Sequence, residues 1–207
     1  MPHLKLENAL RARGVTRVAG VDAAGRGPLA GPVAAAAVIL PVRFRCPGLD
    51  DSKKLTRAKR DELFARITGD PAVVWAVALA DLDEIHRLNI LRATHLAMRR
   101  AVEALAVPPE HCLIDGLPVR DFPVSHDGVV GGDGISRSIA AASVIAKVTR
   151  DRFMAELDAE FPEYGFARHQ GYGTRFHLEA LRIHGPCRHH RLSFQPLAQL
   201  SLPFDFR

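Results

Sequence analysis

Residues 18–33, Val-Ala-Gly-Val-Asp-Ala-Ala-Gly-Arg-Gly-Pro-Leu-Ala-Gly-Pro-Val, restrict the fold more than any other stretch of the chain. An apolar run from Val18 to Val21 ends on a single acid, Asp22, and a second apolar run opens at Val33. Between them Gly25, Gly27, Pro28, Gly31 and Pro32 dictate a turn, so the segment predicts strand, tight turn, strand. The Asp22 carboxylate then stands at a strand end. Glycines on either side of Arg26 let the backbone approach a ligand closely while the guanidinium reaches a phosphate. Taken alone, the stretch reads equally as a Gly/Pro hairpin in which Asp22 caps the turn.

Periodicity extends the layout. Val33–Leu40 predicts a buried strand, and a helix follows over 57–68 with Leu63, Phe64 and Ile67 on one face. Val73–Leu79 predicts another strand and 81–87 a short helix. A second helix then presents Leu91, Thr94, Met98, Ala101, Val102 and Leu105 to the core. Cys112–Ile114 is a short strand finishing on Asp115, and Val129 and Val130 form a further edge. The longest helix spans 136–160, with Ile139, Ile145, Val148 and Leu157 inward, and a last one runs from Thr174 to His184. This mixture of strands and helices argues a mixed-sheet α/β domain.

The chain of 207 residues is long enough to bury a substantial core. A net charge of +5 favours a polyanionic partner. Cys46, Cys112 and Cys187 lack paired spacing and are expected as free thiols. No run reaches membrane-spanning length and Met1–Gly14 lacks a signal-peptide pattern, so the expected location is cytoplasmic, without a membrane partner.

Three acids fall where backbone would bring them together. Asp22 and Asp115 end strands, and Asp133 lies in Gly131-Gly132-Asp133-Gly134 just before the longest helix. Carboxylates on neighbouring strand ends suit hard divalent ions, and a pair of such ions about 3.5–4 Å apart activates water for phosphodiester hydrolysis. Each acid taken singly also reads as a turn or helix cap. His184, Cys187, His189 and His190 are crowded and include one thiol, which is poor zinc spacing; they and His169 are read as structural.

Asp22-Ala23-Ala24-Gly25-Arg26-Gly27, followed by Gly31-Pro32-Val33 and the small residues Ala34–Ala37, resembles the signature of the type 2 ribonucleases H (ribonuclease HII), which opens Asp-Glu-x-Gly-Arg-Gly. Asp51-Ser52-Lys53-Lys54-Leu55, Ile114-Asp115-Gly116, the run Ser138–Asp151 and Gly171-Tyr172-Gly173-Thr174 resemble further motifs of that family. The resemblance covers most of the chain. It implies a ribonuclease H-like fold, α/β with a mixed central sheet flanked by helices, and a C-terminal helical extension. The implied organisation is a catalytic domain over 1–161, a helical segment over 162–196 packed on it, and a tail over 197–207.

The resemblance also implies an endonuclease that hydrolyses the RNA strand of RNA–DNA hybrids. It would also cut 5′ of ribonucleotides embedded in duplex DNA, as in ribonucleotide excision repair, leaving a 3′-hydroxyl and a 5′-phosphate. The implied cofactor is Mg²⁺ or Mn²⁺ in a two-metal site on Asp22, Asp115 and Asp133. Gly25, Arg26, Gly27 and Tyr172 would read the ribonucleotide junction, and Lys53, Ser143 and Lys147 would meet the backbone. The family's catalytic glutamate is replaced by Ala23, a vacant ligand position, which predicts weak or misplaced binding of one metal and slow or absent cleavage. A deliberate inactivating substitution, a natural variant compensated by another acid, and an inactive paralogue all fit that residue. Ile135 stands where the family often carries a lysine.

The tail Gln199-Leu200-Ser201-Leu202-Pro203-Phe204 resembles the peptide by which bacterial replication proteins dock on the sliding clamp. Gln199 would be the polar anchor, with Leu200, Leu202 and Phe204 filling an apolar groove. A titration against clamp with Leu200→Ala and Phe204→Ala separates this from a tail packed on its own domain. Two rival functions stand beside the nuclease: a non-catalytic hybrid-binding module, and a nucleotide-cofactor enzyme using Gly25-x-Gly27-x-x-x-Gly31 as a dinucleotide loop. A monomer is expected.

Overall fold

The computed structural model describes residues 1–199. In chain order it runs α1 (Lys5–Ala12), β1 (Val18–Ala24), β2 (Val33–Ile39), α2 (Arg57–Thr68), β3 (Val74–Ala80), α3 (Leu82–Leu88), α4 (Ile90–Glu103), β4 (His111–Asp115), β5 (His126–Val129), α5 (Arg137–Glu160), α6 (Phe166–His169) and α7 (Arg175–His184). The strands form one five-stranded sheet in the order β3-β2-β1-β4-β5. β1 pairs antiparallel with β2 and parallel with β4, and β5 joins β4 in parallel. The result is the mixed sheet flanked by helices that the sequence predicts.

Alternation along β1 sorts its side chains between two layers. Ala19, Val21 and Ala23 pack into a cluster with Ala97, Met98 and Ala101 of α4, while Gly20 and Asp22 face α5. Gly20 is required for that contact: a Cβ there would lie 2.0 Å from the Ser138 carbonyl carbon. The bare backbone lets α5 ride directly over β1 and sets Ser143 beside the Asp22 strand end. Ile139, Ile145 and Met154 of α5 are fully buried, each contributing about 1.5–3 kcal/mol through removal of apolar surface from water.

The N-terminus of α5 is fixed from two directions. Ser136 caps it, its Oγ accepting from the Ile139 N–H at 3.2 Å. Glu7 of α1, fully buried, accepts from Ser136 Oγ at 2.6 Å, Ser138 Oγ at 2.8 Å and the Ser138 N–H at 3.0 Å. A carboxylate there complements the positive end of the helix. The His3 N–H also donates to the Ile135 carbonyl at 2.9 Å, so the segment after Asp133 is tied to the chain's first residues.

Several expectations need correction. Nothing was predicted before Val18, where α1 forms, nor at the short α6. Leu91 does not face the core: Asn89 caps α4 by accepting from the Leu91 and Arg92 N–H groups, which turns Ile90 inward and leaves Leu91 about half exposed. Val130 lies beyond β5 and is exposed, so the added edge is His126–Val129. All three cysteines are free, as expected. Gln199 closes a short turn of helix over Leu197–Gln199, and Leu200, Leu202 and Phe204 lie outside the described residues.

Candidate active site

Asp22 lies one step past the Val21–Ile114 pair of the parallel β1–β4 ladder, and Asp115 ends β4 beside it on the same face. Asp133 reaches them from the Gly131–Gly134 turn, and one carboxylate oxygen from each of the three lies within 4.8 Å of the others. Each is held by local bonds. Asp22 Oδ1 accepts from the Ala23 N–H at 2.7 Å, and Asp115 Oδ1 accepts from the Gly132 N–H at 2.8 Å. Asp133 Oδ2 receives Lys53 Nζ at 3.1 Å. The structure brings all three acids into one cluster, and among the described residues no other group of three side chains able to hold a metal ion forms.

Burial and mutual repulsion disfavour ionisation here. Asp22 is pushed up to about 7 by its buried position, with the negative charge of Asp115 adding to the effect and that of Asp133 contributing less. Asp115 is also raised, by burial and then by Asp133. For Lys53 burial pulls downward, but the bond to Asp133 and its charge outweigh it and hold the ammonium above its usual range. Three oxygen donors that repel one another fit a hard divalent cation, which would remove the conflict.

One cavity of about 250 Å³ opens over this cluster, lined by Asp22, Ala23, Gly25, Arg26, Gly27, Ser52, Lys53, Asp115, Ser143, Lys147 and Tyr172. It thus gathers Gly25, Arg26, Gly27, Lys53, Ser143, Lys147 and Tyr172, the residues for which the motifs imply contact with nucleic acid. Their roles differ in geometry. Ser143 is buried, 2.7 Å from Ser52 Oγ, and its hydroxyl works against the upward shift of the Asp22 carboxyl. Lys147 Nζ donates to Asp151 Oδ1 at 2.7 Å and lies 5.9 Å from the Tyr172 ring centre. Burial lowers its ammonium despite that partner. Tyr172 is half exposed at the cavity edge. Ala23, next to Asp22 at the end of β1, packs partly against the α4 cluster and also lines the cavity.

Sequence reasoning missed the supports. Arg191 and Arg150, both fully buried, donate to carbonyls of the Gly25–Pro32 turn. Their sequence surroundings, Thr149-Arg150-Asp151-Arg152 and His189-His190-Arg191, are polar and charged and read as surface. Behind Tyr172, His177 Nδ1 bonds the Tyr172 carbonyl at 2.9 Å, and His177 Nε2 lies 3.0 Å from His190 Nε2. His190 Nδ1 accepts from the Cys187 N–H at 2.9 Å. Burial keeps both histidines neutral, at about 4 for His177 and about 3 for His190. The segment after Gly31 and Pro32 is strand β2 rather than a helix, which removes the helix N-terminus a dinucleotide loop requires.

Known proteins decide the family. The sequence profile of ribonuclease HII matches residues 19–197. A ribonuclease HII from Desulfitobacterium hafniense is 54% identical over 196 residues, covering 95% of this chain and 75% of its own. The chain belongs to the ribonuclease HII family. Among solved structures it is similar to a ribonuclease H2 from Pyrococcus horikoshii, with TM-score 0.72, 25% identity and coverage of 89% of this chain and 96% of that one. A ribonuclease HII from Archaeoglobus fulgidus, solved in complex with PCNA, shares the fold at TM-score 0.68 and 24% identity, covering 81% and 88%. Membership makes the chain a ribonuclease H-class, metal-dependent endoribonuclease by family, and its acidic cluster is the place where a divalent cation fits. Among the described residues no helix is long and apolar enough to cross a membrane.

Proposed function

We propose that this chain recognises a ribonucleotide in an RNA–DNA hybrid or within duplex DNA. It then hydrolyses the phosphodiester on the 5′ side, slowly because Ala23 supplies no ligand. The observation that carries this reading is the shared cavity: Asp22, Asp115, the Gly25–Gly27 turn and Tyr172 line one opening, and Asp133 joins the two acids in one cluster. A phosphate placed over Asp22 and Asp115 would have Lys53 on one side and Lys147 on the other. The sugar that follows would lie against the exposed face of Tyr172. The turn backbone would address the 2′-hydroxyl, the group that separates RNA from DNA.

Asp22, Asp115 and Asp133 would hold Mg²⁺ or Mn²⁺, which when bound supplies activation of a water and stabilisation of the leaving oxygen. The Ala23 N–H orients Asp22, and Lys53 steadies Asp133. Ala23 adds no fourth carboxylate, and no other acid among the described residues joins the cluster. In this reading residues 1–161 carry the chemistry, 162–196 buttress the Tyr172 loop, and the product ends are a 3′-hydroxyl and a 5′-phosphate. Sliding-clamp binding by the tail from Gln199 stays part of the reading, with the clamp titration as its test.

The decisive experiment is cleavage of a labelled duplex carrying one ribonucleotide, in Mn²⁺, by this chain and by Ala23→Glu. The expected result is strong cutting 5′ of the ribonucleotide by Ala23→Glu alone. Equal cutting by both would mean that another group replaces the missing carboxylate. No cutting by either would favour a hybrid-binding module instead.

A further inference from the structure

The Gly25–Pro32 turn is wrapped around two guanidinium groups. Arg191 Nη2 donates to the carbonyls of Gly25 at 2.7 Å and Gly31 at 2.6 Å, and Nε donates to Gly31 at 2.9 Å. Its Nη1 reaches Pro28 at 2.9 Å and Arg26 at 3.1 Å. Arg150 donates from Nη2 to Ala30, from Nε to Pro32 and from Nη1 to Gln170, each at 2.9 Å. Neither guanidinium has a carboxylate within salt-bridge distance among the described residues, although both are fully buried. Burial lowers Arg150 to about 10 and Arg191 to about 9, and the charge of Arg150 adds to the effect on Arg191.

Two like charges under one turn are costly, and an apolar filler of equal volume would be cheaper. What the arginines provide is geometry. A planar fork with five donors engages several carbonyls at once, which an ammonium cannot do. With the carbonyls of Gly25 and Arg26 drawn inward, the N–H groups of Gly25, Arg26 and Gly27 have no acceptor among the described residues, beside the cavity those residues line. Gly25 is shaped to this arrangement: its φ is +96°, and a Cβ would fall 2.0 Å from Arg150 Nε. Arg150 also couples the two reading elements, since the same guanidinium that holds Ala30 and Pro32 holds Gln170, two residues before Tyr172.

We infer that Arg150 and Arg191 are positioning residues for ribose discrimination: they turn the Gly25–Gly27 carbonyls inward, free its N–H groups for a 2′-hydroxyl, and fix Tyr172 at the matching distance. The inference rests on the ribonucleotide reading proposed above. It differs from a packing role in one measurable respect, because packing alone would affect all ligands equally.

The test is a fluorescence-anisotropy titration, in Ca²⁺, of two labelled duplexes identical except for one ribonucleotide in one of them. The proteins are the full chain, Arg191→Lys and Arg150→Lys. The full chain should prefer the ribonucleotide duplex by about tenfold or more, near 1.4 kcal/mol. Each lysine variant should lose most of that preference while its affinity for the all-DNA duplex stays within about twofold. A preserved preference in a folded variant, or equal loss on both duplexes, overturns the inference. Circular dichroism reports folding. Should Arg191→Lys not fold, Arg150→Lys carries the test, supported by faster amide exchange at Gly25–Gly27. Unfolding of both would assign the arginines to the core alone and overturn the inference. Absence of preference in the full chain itself would instead defeat the ribonucleotide reading.

Discussion

On one side of the Ala23–Gly25 link lie three carboxylates, and on the other two guanidiniums, and the two groups are solved in opposite ways. The acids converge within 4.8 Å with one ammonium, Lys53, at the rim. Their conflict is left in place, and Asp22 and Asp115 both resist ionisation. The arginines also crowd together, but backbone carbonyls fill the donors described above. A charge cluster awaiting an external partner marks where chemistry is done. A charge cluster satisfied by backbone marks what must not move.

Breaking the satisfied cluster should cost most. Arg191→Ala leaves the carbonyls of Gly25, Arg26, Pro28 and Gly31 without their donor, and we expect a loss of about 3–5 kcal/mol in denaturant unfolding. Relieving the frustrated cluster should do the reverse on a smaller scale. Asp22→Asn removes a buried carboxylate whose folded pKa lies near 7, above its unfolded value of 3.8. The folded state therefore binds the extra proton, and the stability this confers is present at low pH and lost as pH rises through about 7. In metal-free buffer at pH 8, Asp22→Asn should gain on the order of 1–3 kcal/mol over the parent. The parent should rise in Tm on addition of Mn²⁺, and Asp22→Asn should lose that rise. The exposed counterpart Arg182→Ala, which removes a surface pair with Glu179, should leave Tm unchanged.

The contrast also explains what was legible. Acids at strand ends are visible because the apolar runs before them fix strand position, and α2 follows the expected 57–68 because Thr56 caps it and Leu63 and Ile67 share its buried face. α5 follows from its own apolar stripe and the Ser136 cap. Arg150 and Arg191 were invisible because their partners are carbonyls, and a carbonyl has no letter in the sequence. Glu7 was missed for a related reason: it is an acid in a short amphipathic segment, and only the fold shows that α5 begins above it. The Leu91 register failed by one position because Asn89, not the apolar periodicity, sets where α4 starts.

The bond from Arg191 to Gly25 spans 166 residues of chain. During synthesis the three acids, the last at 133, leave the ribosome well before residue 191 does. A partly made chain can therefore contain all three acids while the neighbouring turn still lacks its Arg191 bonds. The order of synthesis sets the turn's Arg191 bonds after the acids, so the turn takes its final shape only when the segment around residue 191 has folded back onto it.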